Sequence, residues 1–165
     1  MIQILADYWR PFLYSDGMRA SGLVVTLWLL VSALALGFVA AVPLACARVS
    51  KNRWLSTPVR LYTYVFRGTP LYVQLLLLYT GMYSLEFVRS QSLLEAFFRS
   101  GFNCAILAFA MNTCAYTTEI FAGAIKATPY GEIEAARAYG MSSFTLYRRV
   151  ILPSALRRAL VPVTR

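Results

Sequence analysis

The sequence predicts an all-α membrane protein. Of 165 residues, 59% are hydrophobic and 14% charged, and the mean hydropathy is +0.57. Soluble domains run about 45–50% apolar and about 25% charged, so the balance favours a lipid-embedded chain. Three long stretches carry no charge at all, and the basic residues are gathered between them. That grouping also decides what the net charge of +9 means. A nucleic-acid binder spreads Lys and Arg over a soluble surface, whereas here they flank apolar runs, so nucleic acid is excluded as a partner and a bilayer is implied.

The first uncharged stretch, residues 22–47, reads GLVVTLWLLVSALALGFVAAVPLACA. About 20 apolar residues cross the hydrocarbon core, so it spans with length to spare. Ala33, Gly37, Ala41 and Ala45 recur every fourth residue, a stripe that lets a second helix approach closely. Pro43 removes one backbone donor and is expected to bend the helix. The N-terminal 21 residues hold Asp7, Arg10, Asp16 and Arg19 and no apolar run, so no cleavable signal is expected and the first span serves as the insertion signal.

Thr57 followed by Pro58 predicts a short interfacial helix over 58–66, and Thr69 as N-cap with Pro70 at the first helical position predicts the start of a second span over 68–86. The third span is predicted over 101–121. The segment between the first two spans holds Arg48, Lys51, Arg53, Arg60 and Arg67 without an acid, and the next holds only Arg89 and Arg99 beside Glu86 and Glu95. The positive-inside rule then places the N-terminus outside and residues 122–165 in the cytoplasm.

Chemistry is sparse. There is no histidine, so Ser/His and Cys/His nucleophile pairs and most zinc sites are excluded. Cys46, Cys104 and Cys114 lie in apolar segments without metal-ligand spacing and are expected as buried thiols. No phosphate-binding G-x-x-x-x-G-K-[ST] loop occurs, so neither catalysis nor a cofactor is expected. In the third span Asn112, Tyr116 and Glu119 share a helical face, and a carboxylate at membrane depth usually faces a bundle interior or aqueous cavity. Two readings stand for Glu119: attraction of a cationic solute, or a helix-to-helix hydrogen bond. Gln74 in the second span is a weaker candidate of the same kind.

Residues 131–153, GEIEAARAYGMSSFTLYRRVILP, are expected to form a polar hairpin after the last span. Thr128 and Pro129 can start its first helix, and Glu134 and Arg137 stand at a spacing, i and i+3, that can pair. Ile133, Ala136 and Gly140 share a face, and Gly140 takes the left-handed conformation. Ser142 or Ser143 caps a second helix with Phe144, Tyr147 and Ile151 as its apolar face, ended or bent by Pro153. On these residues alone, packing on the chain's own surface and docking to another protein are equally good readings.

The pattern Glu134-Ala135-Ala136, Gly140, Val150, Leu152-Pro153 resembles the EAA motif of ABC importer permeases, with valine where the family has isoleucine. YVFRGTPLYVQL (64–75) and NTCAYTTEIFAGAI (112–125) are similar to the polar amino-acid uptake branch, and the whole chain looks most like its M-type subunits for histidine, lysine, arginine and ornithine. The resemblance implies a type-1 permease bundle over 22–165 preceded by an external segment 1–21. It further implies a coupling hairpin at 128–153 seated on a cytoplasmic ATPase dimer, a Q-type partner permease and a periplasmic amino-acid-binding protein. Arg67, Gly68, Thr69 and Pro70 become a family signature, whose plain reading is an anchored helix start. Another polar amino acid such as glutamine is the alternative cargo. Family members continue into two further spans where this chain stops at Arg165, so it is expected to be truncated, to assemble weakly with the partner permease and to give no ATP-driven uptake as it stands; a non-transporting fragment that only associates with other permease subunits is the alternative reading.

Overall fold

The computed structural model describes residues 22–160 together with Trp9 and Leu13. The segment expected to be external, 1–21, otherwise lies outside the described residues. Helix α1 covers Gly22–Val49 and α2 Arg53–Gly68. The helix α3 is wound from Leu71–Leu76, a π turn at Leu77–Gly81 and Met82–Ser84. Two short helices follow, α4 at Glu86–Ser90 and α5 at Ser92–Arg99, then the long α6 at Gly101–Lys126. Helix α7 covers Tyr130–Ala138, and α8 runs from Ser143–Leu146 through a π turn at Tyr147–Ile151 into Leu152–Leu160. Contacts divide the chain into two compact units, Met1–Gly37 with Pro70–Thr113 and Phe38–Thr69 with Cys114–Arg165. Helices α1 and α6 contribute to both.

Among the described residues, α1 and α6 are the helices long and apolar enough to cross a bilayer. Their surroundings argue for lipid. On α1, Trp28 is 65% exposed, Val31 60% and Val39 75%, with Leu23, Leu27 and Leu30 about half exposed. A contiguous apolar face of this kind marks an interaction surface, and on an uncharged helix of this length the natural contact is hydrocarbon.

The opposite side of α1 is the small-residue stripe. Ala33, Gly37, Ala41 and Ala45 are all buried. In the first unit a Cβ added at Gly37 would lie 2.8 Å from Thr113 Cβ and 2.9 Å from the Ala110 carbonyl oxygen of α6. In the second, Ala41 and Ala45 join Cys114, Phe121 and Ile125 of α6 in one core. Small residues let the two backbones approach, and dispersion between them then holds the pair without a hydrophobic driving force. Of the three thiols, Cys104 and Cys114 are buried and Cys46 half-buried.

Several boundaries differ from expectation. Helix α2 begins at Arg53, capped by Asn52, whose side-chain oxygen accepts from the Trp54 N–H at 3.0 Å. Pro58 therefore lies inside a 16-residue helix instead of starting a shorter one. Thr69 closes α2, its hydroxyl donating to the Val65 carbonyl at 2.9 Å, and Pro70 is the residue before α3. The stretch expected to span 68–86 winds as helix over 71–84 and is broken by Leu85, which is extended. At 1.5 Å per residue that winding is about 21 Å long, short of the roughly 30 Å hydrocarbon core. The segment read as an external loop holds α4 and α5, where Val88 and Phe98 pack with Cys104.

The Gly37 contact sets a test. Gly37→Ala is expected to lower stability by about 1–3 kcal/mol, since overpacking here meets a backbone carbonyl as well as a side chain. Gly123→Ala, where nothing lies within 4 Å of the added Cβ, is expected to hold or raise stability. Thermal unfolding of both variants in detergent checks this, and equal loss in the two would remove the close approach as the cause.

Candidate functional site

Glu119 sits on α6 with 22% of its side chain exposed. Its Oε1 accepts from Arg48 Nε at 2.7 Å and from Thr63 Oγ1 at 2.7 Å. Three helices thus meet at one oxygen: α1 through the last-turn Arg48, α2 through Thr63, and α6 through the carboxylate. The Thr63 hydroxyl has one proton and a second acceptor within reach, the Arg60 carbonyl at 3.1 Å. The ionised oxygen is nearer and the stronger acceptor.

One turn back on α6, Tyr116 is 45% exposed. The Arg67 guanidinium lies over its ring, 5.3 Å from the centroid, and its hydroxyl donates to the Arg67 carbonyl at 3.5 Å. The signature stretch Arg67–Gly68–Thr69–Pro70 is therefore the junction of α2 and α3, anchored on α6 by Tyr116. Gly68 has open space around it.

Asn112 belongs to the other unit, where its Nδ2 donates to Gln74 Oε1 of α3 at 3.3 Å. Gln74 is buried. The four polar residues expected along a path thus fall into three bonding sets, Asn112 with Gln74 in the first unit and Tyr116 and Glu119, each with its own partners, in the second.

The hairpin is built on a left-handed Gly140, φ +72°. Gly140 N–H donates to the Arg137 carbonyl and Met141 N–H to the Ala136 carbonyl, which closes α7. Ser142 caps α8, its Oγ accepting from the Thr145 N–H at 3.4 Å. Helix α7 turns Ala136 inward with Ile133 beside it, against a core that includes Leu146, Ile151 and Ala155. Glu134, Ala135 and Gly140 stay exposed, as do Tyr139 at 86% and Phe144 at 76%. Ala136 and Gly140 therefore do not share one packed face, and Leu146 rather than Phe144 leads the apolar side of α8.

Three further expectations fail here. The Glu134–Arg137 pair does not form; among the described residues the ion pair is Arg48–Glu119. Thr128 does not cap α7, since Pro129 precedes it and the Thr128 hydroxyl is buried. Pro153 does not end the helix, which continues to Leu160 past a π turn lying just before the proline. There the Leu152 N–H reaches back to the Tyr147 carbonyl, five residues away. The wider turn gives the proline ring room that an α-turn denies it. Val150 and Leu152 are half-buried and Pro153 is exposed. The sequence reading also missed the Ser154 hydroxyl donating to Glu132 Oε2 at 3.1 Å, which ties α8 to α7.

Spanning helices paired through small residues, a carboxylate neutralised at their end and a polar hairpin beyond it define a polytopic helical membrane subunit. Residues 20–164 match the family described as binding-protein-dependent transport system inner membrane component, and the chain belongs to that family. It is 61% identical over 160 residues to the histidine/lysine/arginine/ornithine transport system permease protein HisM of Salmonella typhimurium, covering 97% of this chain and 68% of the relative. The protein of the same description from Escherichia coli K12 is also 61% identical, with 67% of its length covered. The crystal structure of an amino acid ABC transporter with histidines superposes with a TM-score of 0.74 at 30% identity, over 95% of this chain and 65% of that one. The chain is an inner-membrane permease subunit of the ABC amino-acid importer type. It is not an enzyme, ATP hydrolysis lying in a partner subunit.

Removing one member of the ion pair leaves the other charge without its partner in a largely desolvated place. Glu119→Ala and Arg48→Ala are each expected to lose about 1–3 kcal/mol, less than a fully buried pair because both groups keep some solvent. The double variant Arg48→Ala with Glu119→Ala is expected to lose clearly less than the two single losses added together. A double-mutant cycle on thermal unfolding in detergent reads the coupling, and additive losses would show that the pair contributes nothing of its own.

Proposed function

We propose that this chain is the M-type permease of an importer for histidine, lysine, arginine and ornithine. In this reading it pairs with a Q-type permease, rests on a cytoplasmic ATPase dimer and receives solute from a periplasmic binding protein. The observation that carries the reading is the hairpin. Its inner side is consumed by the chain's own core, while Glu134, Ala135, Tyr139 and Phe144 remain outside. An element held rigidly on one side and presenting aromatic and charged groups on the other is suited to transmit motion from a partner seated against it. The substrate assignment rests on the histidine/lysine/arginine/ornithine transport system of relatives at 61% identity.

Residues 128–153 form the coupling hairpin in this proposal, with Glu134, Ala135, Ala136, Gly140, Val150, Leu152 and Pro153 as its motif. Ala136 and Val150 fix its seat, and Glu134 and Ala135 meet the ATPase. Of the candidates for the solute path, Tyr116 is the one exposed enough to touch solute. Glu119 offers no unbalanced negative charge, because Arg48 neutralises it, and Gln74 and Asn112 hold α3 to α6. Arg67, Gly68, Thr69 and Pro70 position Tyr116.

Orientation follows the charge distribution: N-terminus periplasmic, hairpin cytoplasmic, with α1, α3 and α6 crossing. At about 21 Å, α3 is shorter than the hydrocarbon core, and local thinning of the bilayer accommodates it. Single cysteines at Ser90 and Ser142, in a background without the native thiols, are expected to label from opposite sides of the membrane. Labelling from one side removes this topology.

The coupling role has its own measurement, made in the permease assembled with its ATPase and binding protein. Gly140→Asp introduces a Cβ at a left-handed position and a charge at the exposed turn. The amount in the membrane is expected to hold while ATPase association and uptake of labelled histidine fall together, by at least about tenfold, equivalent to 1.4 kcal/mol of coupling. Unchanged uptake rules the hairpin out as the coupling element.

A further inference from the structure

Helix α2 has three distinct sides. Thr63 is buried, with Val59 and Phe66 half-buried beside it. Trp54, Leu61 and Val65 are exposed at 90%, 62% and 45%, an apolar side facing away from the protein. Between these two sides Arg53, Arg60 and Arg67 recur every seventh residue, which at 3.6 residues per turn keeps them in one stripe. A cavity of about 330 Å³ opens along that stripe, lined by Arg48, Arg60, Thr63, Tyr64, Arg67 and Glu119, with Gly68 at its edge.

The charges in this cavity do not balance. Three guanidinium groups face one carboxylate, and Arg48 is already committed to Glu119. Neither Arg60 nor Arg67 has an ion pair among the described residues. The Arg67 guanidinium lies over the Tyr116 ring, 5.3 Å from its centroid, a cation–π contact that consumes none of its N–H donors. The cavity is thus a cationic recess with hydrogen-bond donors on two walls, set beside an exposed apolar strip on the same helix.

We propose that this recess holds the phosphate of an anionic phospholipid, with the acyl chains lying against Trp54, Leu61 and Val65. The inference rests on the reading of the chain as a membrane protein. The charge calls for an anion, and the apolar strip selects a lipid among anions. The phosphate binds where Arg60 and Arg67 supply unspent charge, and the adjoining apolar strip has a use only if the anion carries hydrocarbon. A zwitterionic headgroup brings its own ammonium into the recess and loses the advantage. Basic recesses at the ends of spanning helices are known lipid-headgroup sites, and each Lys or Arg near the surface adds appreciably to the attraction.

The test uses the purified chain in an uncharged detergent, with retained lipid read by native mass spectrometry. Phosphatidylglycerol is expected to be retained about tenfold over phosphatidylcholine of the same acyl composition, given two uncompensated arginines. Arg60→Gln with Arg67→Gln is expected to bring the two lipids level, whereas Arg89→Gln with Arg99→Gln, outside the recess, leaves the preference intact. Because the first double variant can disturb folding, the wild type is also measured at rising salt, where the preference is expected to shrink. A preference that salt does not touch overturns the proposal. So does displacement of phosphatidylglycerol by millimolar inorganic phosphate, which would make the recess a free-anion site. Equal retention of both lipids, or retention of neither, overturns the headgroup site and leaves the membrane reading standing.

Discussion

A carboxylate carried on a spanning helix is the constraint around which the second unit is organised. Glu119 is too close to the apolar stretch of α6 to be left to solvent, and its desolvation is offset only by ionised and hydroxyl donors brought from elsewhere. Arg48 and Thr63 do this at 2.7 Å each, from helices 71 and 56 residues away in sequence. Once those bonds form, the end of α1, the middle of α2 and α6 are fixed to one another. The Arg67–Tyr116 contact and the basic recess follow from that placement. Replacing the triad with apolar groups would keep the helices associated but would remove the direction in which α2 leaves α1.

The small residues of α1 act on the same helix pair in a different way. Ala41 and Ala45 have no side-chain chemistry, yet they decide how closely α1 meets α6 and so whether Arg48 reaches Glu119 at all. Proximity comes first and the polar bond is made across it. That order suits a bilayer, where apolar side chains gain little from meeting one another rather than lipid and close backbone approach supplies the attraction.

Legibility from sequence tracked the range of the interactions. The stripe at Ala33, Gly37, Ala41 and Ala45 was readable because its period is local, and so was the left-handed Gly140, since only glycine adopts that conformation without penalty. The partners of Glu119 were not readable, because nothing in the neighbourhood of Glu119 points to Arg48 or Thr63. A cue did exist: Arg48 is the first charge after a long uncharged run, and Thr63 is a polar residue on the inner side of an amphipathic helix. The start of α2 was misplaced because Thr57–Pro58 mimics a helix start, while Asn52 supplies the cap that forms. Helices α4 and α5 have only a weak signal, the helical spacing of Leu94, Phe97 and Phe98, in a segment whose charges dominate its pattern.

The π turn at Tyr147–Ile151 has a consequence for how this motif can vary. A π turn is an α-helix with one residue too many, a phase slip that rotates everything after it. Leu146 and Ile151, five apart, would point to different sides of a uniform α-helix, and the slip brings both into one core with Ala155. The residues before and after it are thereby phased to the same surface although their numbering is out of step. The spacing of the motif from Gly140 to Leu152-Pro153 is therefore not a helical period at all, but a period plus one. A count that assumes unbroken α-helix assigns the wrong residues to the inside, as happened with Phe144.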